Sequence, residues 1–367
     1  MIPVYEPWIG AREKELVARC METGWISSEG SYIREFEEGF AAFTGRKHGV
    51  AVCNGTAALE TALYAADLGA GEILMPAFTI ISCAVAAVRV GLKPVLVDIE
   101  PETWNMDVAR IEERIGPATR AIMPAHIYGH PVDMDPLMEI AGRRGLTVVE
   151  DASEAHGASY KGRRLGTYGQ VSTFSFYANK VITTGEGGMV LTDEEHVAAR
   201  ARSFRNLCFD AERRFHHEDL GNNYRMTNLQ AAIGVGQLER IDEMIARKRA
   251  VAATYRRRLA DVPGVRLQAE QSWARSIWWM VAVELTDPRG PNADLVMERL
   301  KRDEIGARHF FKGLHRQPAL TKLGFFQGEA YPHTDRAYEY GFYLPSSPKL
   351  TEEQIAFVCD RLRKAIV

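Results

Sequence analysis

Residues 171–190, VSTFSFYANKVITTGEGGMV, place a lysine between two apolar segments that have the composition of buried β-strands. Lysine side chains are usually solvated, so most lysines need no special explanation. Lys180 is different because aromatic and aliphatic residues such as Phe176 and Ile182 flank it. A lysine that is removed from water has a lowered pKa and a free amine that can attack a carbonyl carbon. We therefore expect Lys180 to be the reactive residue of this chain.

A glycine-rich turn follows the lysine. Gly185, Gly187 and Gly188 allow the backbone to turn tightly and to approach a bound group closely. A buried amine beside such a turn indicates Schiff-base chemistry, and pyridoxal 5'-phosphate (PLP) is the cofactor that most often requires it.

The overall composition is that of an ordinary globular protein. The chain has 367 residues, of which 46% are hydrophobic and 25% are charged. This length allows two domains, and we expect a large domain over residues 1–245 and a smaller C-terminal domain over residues 246–367. The formal net charge of -3 does not indicate a nucleic acid or a membrane surface as partner.

The cysteines and the N-terminal residues bear on the cellular compartment. The five cysteines are scattered and none forms a C-x-x-C pair, so the sequence predicts neither a zinc site nor a disulfide framework. We expect reduced thiols in a cytoplasmic protein and no metal. There is no apolar run of membrane-spanning length, and the N-terminal residues lack the features of a signal peptide.

Short strands rich in Val, Ile and Leu alternate with amphipathic helices. This alternation predicts an α/β fold with a mainly parallel sheet and helices on both faces, in which ligands collect at the carboxyl ends of the strands. Polar residues that follow predicted strands, including Asp98 and His126, can converge there. Strands are expected near 49–53, 72–76, 93–99, 121–128, 146–152, 171–176, 189–192 and 278–285. Helices are expected over 11–23, 33–43, from 56, 82–90, 108–115, 134–144, 197–204, from 228, 247–259, 293–301 and 351–365.

A turn at Asn54 and Gly55 leads from a predicted strand into a helix that begins near Thr56. The amide groups at such a helix start, with the positive end of the helix dipole, can bind a phosphate. The alternative is a plain connection between a strand and a helix. The Rossmann pattern G-x-G-x-x-G is absent at this turn.

Asp151 closes a strongly apolar strand within EDASEAHG at residues 150–157. PLP needs a carboxylate next to its pyridine nitrogen, because the protonated ring accepts electrons from the substrate carbon. Asp is also a preferred helix N-cap residue, so Asp151 is either the cofactor's carboxylate or a cap. Glu154 and His156 follow, and they contact either the bound ring and substrate or only solvent.

Residues 205–222 have no clear period, and we expect a long loop of the kind that is usually functional.

Five blocks of sequence together resemble a known family. They are NGTAAL at 54–59, EDASEAHG at 150–157, TFSFYANK at 173–180, TTGEGG at 183–188 and NYRMTN at 223–228. The blocks are similar to those of the DegT/DnrJ/EryC1/StrS family of nucleotide-sugar aminotransferases, and the resemblance extends over nearly the whole chain. Together with WISS at 25–28, they are most similar to the GDP-perosamine synthase branch of that family.

The resemblance implies the type I aminotransferase fold, with a large sheet domain and a smaller C-terminal α+β domain. It also implies a homodimer with shared active sites and PLP as cofactor. Lys180 and Asp151 would be catalytic, with Lys180 as the general acid and base of the proton shift. The cofactor-binding residues would be Thr56, Ala57, Phe78, Asp151, Glu154, Ser175, Lys180 and, from the partner subunit, Asn223. The substrate-binding residues would be His156, Arg308, Phe311 and His315.

The chain departs from the family pattern in two places. Members commonly have an aromatic residue two positions after Phe78, where it stacks on the PLP ring, but this chain has Ile80. Either Ile80 covers the ring or Phe78 replaces the missing aromatic residue. The segment RHFFKGLH at 308–315 lacks both prolines of the family's substrate loop, which loosens that loop.

The reaction implied is transfer of the amino group of L-glutamate to a 4-keto-6-deoxy sugar nucleotide for polysaccharide or O-antigen synthesis. GDP-4-keto-6-deoxymannose, which would give GDP-perosamine, is the first acceptor expected. Another nucleotide or a C3 ketone is an alternative within the family. A PLP-dependent sugar dehydratase and a non-catalytic sensor are further alternatives; related dehydratases carry histidine in place of the lysine, so Lys180 argues against the first.

Overall fold

The computed structural model describes residues 1–210, 213, 215–217 and 219–367. Helices and strands alternate through the first half of the chain, as the sequence predicts. In the described residues the helices are Ala11–Thr23 (α1), Ser31–Thr44 (α2), Gly55–Ala65 (α3), Ser82–Arg89 (α4), Met134–Arg144 (α5), Glu195–Phe204 (α6), Asn228–Leu238 (α7), Ile241–Leu259 (α8), Ala293–Arg302 (α9), Pro318–Thr321 (α10), Pro332–Tyr340 (α11) and Glu352–Ala365 (α12). The strands are His48–Val52 (β1), Gly71–Pro76 (β2), Leu92–Val97 (β3), Thr119–Ile122 (β4), Thr147–Asp151 (β5), Ser159–Tyr160 (β6), Arg163–Arg164 (β7), Val171–Ser175 (β8), Gly188–Thr192 (β9), Val265–Leu267 (β10), Ala274–Arg275 (β11), Val281–Leu285 (β12), Arg308–His309 (β13) and Gly341–Leu344 (β14).

The central sheet has seven strands in the order β1-β9-β8-β5-β4-β2-β3. Strand β9 runs antiparallel to its neighbours β1 and β8, and the other four pairs are parallel. The carboxyl ends of β1, β2, β5 and β8 therefore meet at one edge of the sheet. This architecture confirms the α/β class and the mainly parallel sheet that the sequence predicts.

Both faces of the central sheet are buried, because successive side chains of a strand point to opposite faces. On β5, Val148 packs into one hydrophobic cluster with Phe174, and Val149 packs into another with Val171. Strands that are covered on both sides have no polar face, which explains their continuous apolar sequences.

The C-terminal part has a sheet of its own in the order β10-β12-β14-β13, which packs with α8, α9 and α12 around a third hydrophobic cluster. Strands β11, β6 and β7 form a small third sheet. In it, residues 274–275 (β11) of the C-terminal part pair with β6, which follows β5 of the central sheet in the chain. The division into domains at 1–245 and 246–367 stays a prediction, and its boundary falls inside α8.

Two predicted elements are wrong in type or length. Residues 108–115 form two 3-10 turns and not an α-helix; Asp107 accepts a hydrogen bond from the amide of Ala109 at the start of the first turn. The strand predicted over 121–128 ends at Ile122, because Pro124 has no amide hydrogen to continue the ladder.

The segment 205–222 contains no helix or named strand among its described residues, which agrees with the predicted loop. Residues 211, 212, 214 and 218 of that segment lie outside the described residues. Helix α7 begins after Thr227, whose side chain accepts a hydrogen bond from the amide of Gln230 in a capping box. No helix in the described part of the chain combines the length and the apolar character needed to span a membrane.

Candidate active site

A cavity of about 500 Å³ opens at the edge where the parallel strands end. Residues from the central sheet, from the starts of α3 and α4, and from the C-terminal sheet line it. The predicted site residues that line the cavity are Thr56, Ala57, Asp151, Glu154, Ser175, Lys180, Arg308 and Phe311. Most of the site that the sequence predicts is therefore brought together.

The amine of Lys180 lies in this cavity with little access to solvent. Its Nζ is 3.9 Å from Oε1 of Glu154 and 3.9 Å from the ring centroid of Trp279. Burial lowers the pKa of Lys180, while the carboxylates of Glu154 and Asp151 oppose that shift. A lysine with a lowered pKa supplies its free amine more readily than a solvated lysine does, which is what the sequence predicts for Lys180.

The backbone that carries Lys180 is held from several directions. Its carbonyl accepts a hydrogen bond from the hydroxyl of Tyr5 at 2.8 Å, and its amide donates to the carbonyl of Tyr177 at 2.9 Å. The preceding carbonyl, of Asn179, accepts from Nε1 of Trp279 at 2.7 Å. A reactive side chain on a fixed backbone is pre-organised for chemistry.

Asp151 is the last residue of β5, and its carboxylate is buried at the cavity wall. Its Oδ1 accepts from the amide of Ser153 at 3.1 Å, and its Oδ2 accepts from the thiol of Cys83 at 3.1 Å. Burial and the Asp151 charge raise the pKa of Cys83, so the thiol keeps its proton. Residues 152–158 form turns and not a helix, so the alternative that Asp151 is a helix N-cap is wrong. Two donors leave room on the carboxylate for a third, such as a protonated pyridine nitrogen.

The start of α3 forms a cradle of hydroxyl and amide groups. The hydroxyls of Thr56 and Ser82 are hydrogen-bonded at 2.8 Å, which joins the first turns of α3 and α4. A Cβ at Gly55 would lie 2.8 Å from Cβ of Ser175, so only glycine allows this close approach. The amide of Ala57 donates to Oδ1 of Asn54, and the preceding amides of the helix have no intrahelical acceptor. This set of donors fits a phosphate group.

Glu154 faces Lys180 with one carboxylate oxygen and the backbone with the other. Its Oε2 accepts from the amide of Tyr128 at 2.7 Å. Tyr128 has a φ of 55°, a left-handed conformation that is rare outside glycine and is often found at functional sites. Burial raises the pKa of Glu154, while the Lys180 charge opposes that shift.

Phe78 does not reach the cavity. Its ring is fully buried and packs against Tyr128, Phe310 and Phe311, whereas Ile80 is 42% exposed and lines the cavity. Strand β2 ends at Pro76, so both residues lie in the segment between β2 and α4. This placement favours Ile80 over Phe78 as the residue that covers a bound ring, and Phe78 supports Phe311 from behind.

His156 lies outside the cavity as well. Its ring is completely buried among Phe40, Phe174 and Phe176, and neither ring nitrogen meets a hydrogen-bond partner among the described residues. Burial lowers its pKa to about 3, so the ring is neutral. A neutral ring in an aromatic cluster is a packing residue, and the predicted contact with substrate is not supported.

His315 and Asn223 also lie away from the cavity of their own chain. Nε2 of His315 is 2.9 Å from Oδ1 of Asp335, a pairing that joins the loop after β13 to α11. Asn223 is exposed and pairs through its backbone with Asn206. A role for Asn223 in a partner subunit's site is compatible with this exposure.

Two other residues that follow predicted strands were expected to reach the site, and only one of them lines the cavity. His126 lines the cavity, and its Nε2 is 3.3 Å from Oε2 of the buried Glu150. Asp98 does not reach the cavity, because its carboxylate accepts from the amides of His333 and Thr334 at the start of α11.

Sequence reasoning missed several residues of the site. Ser82 could have been found, because it stands at the start of a predicted helix. Cys83 and Trp279 gave no local signal, since each contacts a residue far away in the sequence. The cavity also contains Asn179, Glu186, Tyr224, Arg89 and Tyr343.

A buried amine, a strand-end carboxylate and a phosphate-binding helix start line one cavity, and these are the groups that PLP-dependent enzymes with the type I aminotransferase fold use. The residues present therefore fit PLP. The model of the DegT/DnrJ/EryC1/StrS aminotransferase family matches residues 7–363. The chain belongs to that family, and it is a PLP-dependent aminotransferase.

Individual relatives agree with this assignment. The chain is 41% identical to a GDP-perosamine synthase of Caulobacter vibrioides over 373 residues, which cover 100% of this chain and 98% of the relative. It is 39% identical to a GDP-perosamine synthase of Escherichia coli O157:H7, with coverage of 99% and 98%. Among solved structures, DesI in the presence of its TDP-sugar product superimposes with a TM-score of 0.89 at 34% identity and covers 99% of this chain and 93% of that one.

Proposed function

We propose that this aminotransferase moves the amino group of L-glutamate to a keto sugar nucleotide. GDP-4-keto-6-deoxymannose is the proposed acceptor, and GDP-perosamine for polysaccharide or O-antigen synthesis is the proposed product. The observation that carries the proposal is the amine of Lys180, which faces the cavity 3.9 Å from Glu154. The choice of acceptor is supported by full-length relatives at 37% to 41% identity that are named GDP-perosamine synthases.

The bound cofactor supplies a ring that withdraws electrons from the carbon being aminated or deaminated. Lys180 would hold the cofactor, and its free amine would act as the general acid and base at the Cα of glutamate. Asp151 would pair with the pyridine nitrogen and favour its protonated form. The hydroxyls of Thr56, Ser82 and Ser175 and the first amides of α3 orient the phosphate.

Residues of the C-terminal sheet form the side of the cavity that would contact the substrate. Arg308 is exposed on β13 and lines the cavity, so its guanidinium is placed to bind the glutamate carboxylate or the diphosphate. Phe311 forms an apolar part of the wall and excludes water. His315 pairs with Asp335 outside the cavity lining, and its contact with the substrate stays a prediction.

A homodimer and a cytoplasmic location are parts of the same proposal. The exposure of Asn223 is compatible with its use in the partner subunit's phosphate site. All five cysteines are free thiols, which suits a reducing compartment.

The deciding experiment is an absorbance spectrum of the purified protein before and after addition of L-glutamate. The yellow, lysine-bound cofactor should bleach with glutamate, and a panel of keto sugar nucleotides should then be tested for restoring the colour. We expect GDP-4-keto-6-deoxymannose to restore it, with wild-type protein and not with Lys180→Ala. A protein that does not bleach with glutamate, or that only other keto sugars restore, would refute the donor or the acceptor respectively.

A thymidine-linked keto sugar is the second candidate acceptor. It is favoured by the structural likeness to DesI, whose structure was determined in the presence of its TDP-sugar product. The same panel separates the two acceptors.

A further inference from the structure

Trp279 packs against the reactive amine from outside the central sheet. Its ring centroid is 3.9 Å from Nζ of Lys180, and the side chain is almost completely buried. It lines the cavity just before β12, in the C-terminal part of the chain. A cation over an indole face is attracted to it, most strongly where water is excluded.

The indole is fixed by hydrogen bonds. Its Nε1 donates to the carbonyl of Asn179, the residue before Lys180, at 2.7 Å. Its backbone amide donates to the carbonyl of Tyr128 at 2.9 Å. Its backbone carbonyl accepts from the amine of Lys248, which is itself fully buried. The ring therefore cannot turn away from Lys180 without breaking at least one of these bonds.

Tyr128 connects the two groups that hold the lysine amine. Its carbonyl accepts from Trp279 and its amide donates to Glu154. The amine of Lys180 thus has the indole face and the Glu154 carboxylate as neighbours, each at 3.9 Å. One residue in a strained left-handed conformation sets the positions of both neighbours.

We propose that Trp279 is a positioning residue for the reactive lysine. Its indole holds the Lys180 amine in the direction from which it attacks the cofactor and exchanges protons, whenever the amine is not covalently bound. A lysine side chain has many rotamers, and an amine that is already oriented loses less entropy when it reacts. The inference rests on one part of the proposed function, namely that Lys180 attacks PLP. It does not depend on the identity of the sugar.

The test measures how fast the apoenzyme captures PLP through Lys180, which needs no substrate. Stopped-flow absorbance follows the lysine-bound cofactor in wild type, Trp279→Leu and Trp279→Phe. Trp278→Leu is the matched control, because Trp278 is the adjacent buried tryptophan and packs against Arg256 and the third hydrophobic cluster. Pyridoxamine 5'-phosphate, which cannot bond to lysine, reports the affinity of the rest of the site.

At a high pH, where the Lys180 amine is neutral in every variant, Trp279→Leu should capture PLP about tenfold more slowly, because the indole wall that orients the amine and the bond to Asn179 are both lost. Trp279→Phe should be about threefold slower, because it keeps an aromatic face and loses the bond to Asn179. The affinity for pyridoxamine 5'-phosphate should not change in either variant, and Trp278→Leu should capture PLP at the wild-type rate.

Three results would overturn the inference. The first is capture of PLP by Trp279→Phe at the wild-type rate. The second is a loss of affinity for pyridoxamine 5'-phosphate in the Trp279 variants as large as their loss of capture rate. The third is slowing of capture in Trp278→Leu as large as in Trp279→Leu. The phenylalanine variant decides the matter if the leucine variant does not fold. Failure of the proposed function is recognised separately: wild-type protein would then capture no PLP, or would capture it and aminate none of the keto sugars.

Discussion

Nζ of Lys180 and Oε1 of Glu154 are 3.9 Å apart, and the two side chains are only 10% and 11% exposed. Little water screens the pair, so the charge of each group affects the protonation of the other. Burial lowers the pKa of Lys180 and raises the pKa of Glu154, while their mutual attraction opposes both shifts. The carboxylate therefore keeps the lysine protonated to higher pH than burial alone would.

Glu154→Gln should lower the pKa of Lys180 further, because the neutral amide no longer stabilises the ammonium form. The rate at which the apoenzyme captures PLP rises with pH as the amine loses its proton. In the variant this rise should move to lower pH, and stopped-flow measurements over a pH series would show it. A profile that does not move would mean that Glu154 and Lys180 are not coupled in solution.

Asp151→Asn should leave PLP bound but slow the half-reaction with L-glutamate by on the order of a hundredfold, because an amide cannot hold the pyridine nitrogen proton. Single-turnover absorbance measures this step. Asp98→Asn is the matched control, since Asp98 also follows a parallel strand but holds the start of α11. It should lower thermal stability and leave the half-reaction unchanged. Wild-type turnover in Asp151→Asn would remove Asp151 from the mechanism.

Ser175→Ala should weaken binding of pyridoxamine 5'-phosphate by about threefold to tenfold, since one hydroxyl of the phosphate cradle is lost. Ser172→Ala on the same strand is the control, because its hydroxyl donates to the carbonyl of Gly166 on the other face of the sheet. That variant should lose about 1 kcal/mol of stability and no cofactor affinity. Equal affinity in both variants would place the phosphate elsewhere.

Asn223→Ala should lose PLP more easily than wild type if Asn223 completes the partner subunit's site. Mixing this chain with a Lys180→Ala chain tests the shared site directly. In a mixed dimer one site would carry both lesions and the other would carry neither, so activity should rise above that of either parent after subunits are exchanged. Mixtures no more active than their parents would show that Asn223 serves its own chain or none.

Lys248 should make stability depend on pH. Burial lowers its pKa from the ordinary 10.5 to about 7, and its amine donates to the carbonyls of Trp279 and Ser346. Between these two values the unfolded chain binds a proton that the folded chain lacks, so the free energy of unfolding should rise with pH. The rise is at most about 1.4 kcal/mol per pH unit for one proton.

Lys248→Met should remove that rise, because the substituted side chain binds no proton. Urea unfolding at about pH 7.5 and about pH 9.5 measures it, with the exposed Lys47→Met as control. The prediction is wrong if the lysine and methionine chains gain the same stability between the two pH values.

Local pattern was enough to find Lys180 and Asp151. Asp151 ends β5 and Lys180 lies in the turns that follow β8, and the carboxyl ends of parallel strands meet at one edge of a sheet. The helix start at Thr56 was predictable for the same reason, since a turn between a strand and a helix exposes amide groups.

The same reasoning did not foresee the burial of His156 away from the cavity, and it failed to choose between Phe78 and Ile80. A histidine in a loop gives no sign that three phenylalanines from distant elements will enclose it. Beyond Pro76 the chain is no longer a strand, so its alternation does not show which of the two side chains faces the cavity.

The sequence by itself determined the α/β sheet, the edge at which the site lies and the residues that can carry the chemistry, because these depend on periodicity and on residue type. Tertiary structure alone decided which side chains surround them. Cys83 reaches Asp151 and Trp279 reaches Lys180 only because helices and sheets far apart in the chain pack together. Such contacts depend on the packing of whole elements, and no short stretch of sequence encodes them.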